Sequence, residues 1–224
     1  LLEAEIVRNS PALNITYTPR SFQVRAGEFP QSRYAFVGAS IDGRRHEPCE
    51  LPEGDGPLVY ISLGTELNKS ERFFRRCVEA FGGTDVRVVM AIGNSVRPES
   101  LGPLPPATMV RSRVPQLEVL SQASLFITHG GMNSVNEALF YGVPMLVVPV
   151  GNDQPTVARR VEELGLGEAL EIREATPNVL REAAMRVLSD RECHARLSEF
   201  RQETRNAGGN TKAAKLIIEQ LNRV

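Results

Sequence analysis

A chain of 224 residues has room for one large core or two modest ones, and 42% hydrophobic with 24% charged residues is the balance of a globular protein. A net charge of −1, with only three lysines (Lys69, Lys212, Lys215), sets up no field that would draw in nucleic acid or an anionic membrane. No apolar run approaches the roughly 20 residues that cross a bilayer, and Cys49, Cys77 and Cys193, odd in number and without CxxC, argue against a disulfide framework or zinc site and fit a reducing cytoplasm.

The opening stretch LLEAEIVRNS has no basic region followed by an apolar signal core, and no initiator methionine, so a fragment or processed product of a longer chain is expected. LNITYTPRSFQ reads as a strand and its exit. RYAFVGASIDGRRHEPCELPEGDGP, rich in Gly, Pro and charge, reads as a linker. A lone strand with a tail cannot form a domain, so residues 1–52 are expected to belong to a neighbouring unit and its connection.

From Pro57 the rhythm changes. PLVYISLG predicts a strand, and KSERFFRRCVEAF a helix ending at Gly82-Gly83. VRVVMAIG predicts a second strand, ATMVRSRVP a weaker one, and SLFITHGG and PMLVVPV two more continuous β-rich runs. Helical spacing lies between or after them in NSVNEALFYG, TVARRVEELG and TPNVLREAAMRVLSD. Continuous apolar strands separated by helices predict an α/β fold, a doubly wound, Rossmann-like parallel sheet covered on both faces. Near the end, AGGN breaks one helix and TKAAKLIIEQLNRV begins another.

In such a sheet ligands bind beyond the carboxyl ends of the strands. Four ends carry small or polar residues: Ser62 to Thr65, Arg113 to Gln116, His129 to Ser134, and Gly151 to Gln154. The third is the most informative. His129 and two glycines precede Asn133 and Ser134 at a helix start, where unpaired N–H groups and the positive dipole favour an anion. Glu137 lies one turn further along the same face, about 5.4 Å away, the separation between a nucleotide's phosphate and its ribose hydroxyls. Taken singly, each has a plainer reading: Asn133 or Ser134 as a helix cap, Glu137 as a solvated glutamate, His129 as a structural histidine, Asp153 as the cap of a helix with Pro155 in its first turn. Clustered at adjacent strand ends, they favour a diphosphate site.

Missing motifs narrow the class. There is no GxGxxG after the first strand, no GxxxxGK[ST], no GxSxG elbow and no Asp-x-Asp pair for a metal-bound diphosphate. The phosphate charge is therefore expected to meet backbone, His129 and hydroxyls, with no metal and no dinucleotide cofactor.

VPQLEVLSQASLFITHGGMNSVNEALFYGVPMLVVPVGNDQ (residues 114–154) resembles the donor-binding signature of nucleoside-diphosphate-sugar glycosyltransferases of the bacterial macrolide type. VYISLGT resembles the loop after the first strand of their C-terminal domain, and TPRSFQ with RYAFVGASI the segment leaving their N-terminal domain. The resemblance implies the donor half of a GT-B enzyme: residues 1–52 a remnant of the N-terminal domain and linker, 53–206 the donor-binding domain, and 207–224 a helix packing on the N-terminal domain. It implies inverting, metal-independent transfer from UDP-glucose to a hydroxyl of a small-molecule acceptor such as a macrolide.

By the same resemblance, Ser62 and Thr65 lie near the diphosphate. Val114 meets the base through its backbone, and Gln116 meets the base or ribose. His129, Asn133 and Ser134 hold the diphosphate, and Gly131 gives backbone access to it. Glu137 binds the ribose, and Asp153 and Gln154 the sugar. Two features depart from the family pattern. Arg113 replaces an aromatic residue stacked on the base, and the general-base histidine of the N-terminal domain has no counterpart, since neither His46 in the linker nor His194 in a polar helix matches it. The chain alone is thus expected to bind donor without transferring it, and its apolar C-terminal helix is expected to promote self-association. The competing readings are a donor-binding subunit of a two-chain transferase, a nucleotide-sugar epimerase of the same architecture, and a pseudoenzyme whose donor site Arg113 has abolished.

Overall fold

A computed structural model describes residues 13–41, 47–64 and 70–222. Its centre is a six-stranded, wholly parallel sheet formed by β3 (Leu58–Ser62), β4 (Arg87–Ala91), β5 (Thr108–Arg111), β6 (Leu125–Thr128), β7 (Met145–Val147) and β8 (Gly167–Ala169). The spatial order is β5-β4-β3-β6-β7-β8. The helices are α1 (Glu71–Phe81), α2 (Gln116–Gln122), α3 (Met132–Tyr141), α4 (Gln154–Glu163), α5 (Pro177–Ser189), α6 (Arg191–Asn206) and α7 (Gly209–Leu221).

Alternation within the strands sends side chains to two separate cores. Val59, Ile61, Val88, Met90, Leu125 and Ile127 face α1 and α5, whose buried residues include Phe73, Phe74, Phe81, Leu180 and Ala184. Leu58, Tyr60, Val89, Phe126, Met145 and Val147 face α2, α3, α4 and α6. With both faces covered, β3 and β6 are buried at every position, which is why their sequences read as unbroken apolar runs. Helix α1 starts where expected because the Ser70 hydroxyl accepts from the Phe73 N–H. Helices α5 and α6 are capped by Thr176 and Asp190 in the same way.

Three elements differ from the sequence expectation. Strand β8 has the sequence GEA, without a β-branched residue, and forms because Leu166 and Leu170 extend the parallel ladder against Met145 and Val147. Helix α2 has seven residues, too few for a clear period. The segment read as linker begins with a strand, β2 (Tyr34–Phe36), which pairs in parallel with β1 (Asn14–Thr16), so the N-terminal strand is not alone.

This small sheet is tied to the large domain. Phe22 enters the second core with 4% exposure, the Arg160 guanidinium donates to the carbonyls of Phe22 and Ser21 at 2.9 Å each, and Asn136 Nδ2 donates to the Tyr17 carbonyl at 2.7 Å. Helix α7 exposes Ile217, Ile218 and Leu221 at 49%, 58% and 69%. Among the described residues no helix is long and apolar enough to cross a membrane, and all three cysteines are unpaired.

Candidate functional site

Strands β3 and β6 are neighbours, and the chain runs away from them in opposite directions across the sheet. That reversal opens a crevice at the carboxyl edge, the usual ligand position of an open α/β sheet. An open cleft of about 750 Å³ lies there. Of the residues singled out in the sequence, Ser62, Arg113, Val114, Gln116, His129, Gly131, Asn133 and Ser134 line it, whereas Glu137, Asp153 and Gln154 do not. Arg113 is exposed at the rim. Thr65 and His46 lie outside the described residues, and His194 is exposed on α6, away from the cleft.

Helix α3 presents its amino end to this cleft. Its N-cap is Gly131, which has no side chain to offer, and the first intrahelical bond runs from Val135 N–H to the Gly131 carbonyl at 3.0 Å. The amides of Met132, Asn133 and Ser134 therefore leave the helix end without an intrahelical acceptor. Asn133 and Ser134 sit in the first turn and do not cap it.

The glycines serve the protein's own packing before any ligand's. A Cβ on Gly131 would stand 2.5 Å from His129 Nε2, and one on Gly64, at φ +77°, would stand 2.7 Å from His129 Cε1. The imidazole thus occupies a slot between two backbone segments that only glycine leaves open. Burial lowers the His129 pKa, opposed by the charge of Asp153 and by the Ser62 carbonyl. Among the described residues its Nδ1 is buried with no hydrogen-bond partner.

Glu137 differs from the plainer expectation of a solvated helix glutamate: it is only 5% exposed. Its Oε2 accepts a hydrogen bond from Gln116 Nε2, which also donates to Ser134 Oγ at 3.3 Å. On the other side of that amide, the Tyr60 hydroxyl donates to Gln116 Oε1 at 2.9 Å. A polar chain thus runs from the sheet through Gln116 to the carboxylate.

At the end of β7 the two expected sugar contacts have different environments. Asp153 is exposed and holds the N-cap position of α4, with Pro155 in the first turn, but its carboxylate makes no capping bond. Gln154 is buried, and its Oε1 accepts from the N–H groups of Val150 and Gly151 at 2.8 and 3.1 Å. Its carbonyl is therefore committed to holding its own loop, and what it can present to a ligand is its Nε2 group.

Sequence reasoning missed Gly93, Asn94 and Ser95, which follow β4 and line the cleft, and Tyr60, which forms part of its floor. The first three carry the same glycine-and-small-polar signature as the other strand ends. Tyr60 gave no such signal, being one apolar letter in a buried strand. Among the described residues no group of three His, Cys, Asp or Glu side chains is placed to hold a metal.

Residues 75–219 match the family of erythromycin biosynthesis protein CIII-like C-terminal domains, and the chain belongs to that family. It is 43% identical over 207 residues to the NDP-glycosyltransferase YjiC of Bacillus subtilis (strain 168), covering 92% of this chain and 53% of that protein. It is 39% identical over 215 residues to the demethyllactenocin mycarosyltransferase of Streptomyces fradiae, covering 96% of this chain and 46% of that enzyme. The crystal structure of CalG4, the calicheamicin glycosyltransferase, superposes with a TM-score of 0.90 at 35% identity, over 99% of this chain and 56% of that one. The chain spans about half the length of the curated relatives it matches. The fold is that of GT-B glycosyltransferases, and the homologous segments come from bacterial macrolide-type and other NDP-sugar glycosyltransferases.

Proposed function

We propose that the cleft holds the nucleoside diphosphate of a sugar donor, UDP-glucose, for inverting, metal-independent transfer to a hydroxyl of a small natural-product acceptor such as a macrolide. One observation carries this reading: the uncapped amino end of α3 and the slotted His129 meet at the crevice between β3 and β6, and the buried Glu137 carboxylate stands one turn further along α3, behind the cleft-lining Gln116 that it bonds. The amides of Asn133 and Ser134 with His129 receive the diphosphate, where the helix dipole adds about 0.3–1 kcal/mol, up to roughly 2 in a partly buried geometry. Ser62 borders the phosphates. The Glu137 carboxylate accepts from the ribose hydroxyls, the Val114 backbone and the Arg113 guanidinium plane flank the base, and Asp153 with Gln154 Nε2 faces the sugar.

As an acceptor hydroxyl attacks the anomeric carbon from the opposite face, charge builds on the departing diphosphate. Donors fixed beforehand at that position stabilise it, and an arriving anion favours protonation of His129. Residues 1–52 and 207–224 form the junction with an N-terminal domain that supplies the acceptor pocket and general base; the exposed apolar edge of α7 supports this. The 224 residues alone then bind donor and transfer nothing. Calorimetric titration of the chain with UDP and dTDP, without added metal, tests the proposal. UDP should bind, and Glu137→Ala should weaken it by at least about tenfold, the loss typical of a hydrogen bond to a charged group. Absence of binding by either nucleotide would refute the donor site.

A further inference from the structure

The Tyr60–Gln116–Glu137 chain has a direction imposed by charge. A carboxylate can only accept, so Gln116 must turn its Nε2 toward Glu137 and hence its Oε1 toward Tyr60. The phenol must then donate. Burial, the largest influence on it, pushes its pKa far above the ordinary tyrosine value, so it stays a donor. Its ring cannot swing away. Tyr60 is 1% exposed on the central strand β3 and stacks on Phe126 with centroids 4.7 Å apart and planes 8° from parallel. Both amide protons of Gln116 are engaged, one by Ser134 Oγ and one by Glu137, so toward a ligand the side chain has only a second lone pair on Oε1 to offer.

We infer that Tyr60 is a positioning residue of the nucleotide site: its buried hydroxyl fixes the Gln116 amide, which in turn holds the Glu137 carboxylate where ribose hydroxyls meet it. This rests on the donor-site reading above. In this arrangement Gln116 works mainly as a bracket and only secondarily as a reader of the base. The rigid centre of the sheet sets the carboxylate's aim through two hydrogen bonds.

The test compares UDP with 2′,3′-dideoxy-UDP, which keeps the base and diphosphate and loses both hydroxyls. Wild-type chain should prefer UDP by about tenfold or more, the scale of a hydrogen bond to a carboxylate. Tyr60→Phe removes one oxygen; it should shrink that preference by at least about threefold while leaving dideoxy-UDP affinity within about twofold. The Gln116 side-chain amide pair in a ¹⁵N–¹H spectrum should move toward the position of a free glutamine. Phe126→Leu disturbs the same packing but keeps the phenol, so it should lower the melting temperature and leave the preference intact. An unchanged preference in Tyr60→Phe, equal weakening of both ligands, or the same collapse in Phe126→Leu would overturn the positioning role. Failure of the wild-type chain to bind UDP would instead remove the donor site, and the positioning role with it.

Discussion

The His129 slot makes a sharp prediction through Gly131→Ala. The new methyl would start 2.5 Å from Nε2, and ordinary contact begins near 3.4 Å, so the ring must move by about 0.9 Å. At φ −63° the backbone of residue 131 accepts alanine without strain, which leaves the collision as the main cost. Overpacking of this kind costs about 1–3 kcal/mol, and replacing glycine at an N-cap adds about 0.5 kcal/mol. For a domain of this size the melting temperature should fall by about 3–14 °C. UDP affinity should fall too, because the displaced ring lines the cleft. Thermal unfolding of Gly131→Ala, His129→Ala and the double variant forms a cycle in which the collision alone depends on His129. The double variant should be more stable than the sum of the single changes by about 1 kcal/mol or more, with the cap contribution left over. Additivity within about 0.5 kcal/mol would mean that the ring yields freely and the slot does not exist.

Phe74, fully buried between α1 and the sheet, should cost about 3–5 kcal/mol when replaced by alanine, read from equilibrium denaturation. The lowered His129 pKa has a defined sign: the unfolded chain takes up the proton more readily, so this group's stabilising effect is complete above about pH 6.5 and is lost as pH falls toward the folded value. Melting curves across that window should therefore be flatter for His129→Gln than for wild type; parallel curves would rule out the linkage. Sedimentation at tens of micromolar should show self-association of the chain through α7, and Ile218→Glu with Leu221→Glu should shift it toward monomer. A monomeric wild type would remove that surface from consideration.

The parts legible in the sequence were those whose environment is uniform along the chain. Strands β3 and β6 are buried on both faces, so every residue carries the signal, and α1 announces itself through Ser70, its apolar stripe and Gly82. The parts that escaped depend on partners distant in sequence. Strand β8 borrows its order from β7 and needs no strand-forming composition of its own, while β2 has Tyr34 and Phe36 but is three residues long and runs into a Gly-, Pro- and charge-rich tail. At the site, the grouping of His129, Asn133 and Ser134 at one strand end, with Glu137 one turn further along α3, followed from helical spacing and strand order. The burial of Glu137 and its link to Tyr60 did not, because they need β3 and α2 beside α3. The glycines were legible as necessary, but for a different reason: His129 fills the space that was expected to admit a ligand. Gln154 likewise combines a role in its own loop with any it has toward the sugar.

The sheet order has a consequence for how the site comes into being. Strands β3 to β5 with α1 form one unbroken stretch of chain, and β6 to β8 with α3 and α4 form another, each able to gather its own neighbours with short loop closures. Within the sheet only the β3–β6 pairing joins them, with α1 packing on α5 across one face, and Tyr60 and Ser62 stand on one side of that seam while His129, Ser134 and Glu137 stand on the other. The cleft therefore exists only after the two halves have docked. A ligand bridging the seam should slow their separation while leaving fraying within each half untouched, so the protein's longest-lived state is set by occupancy of the join.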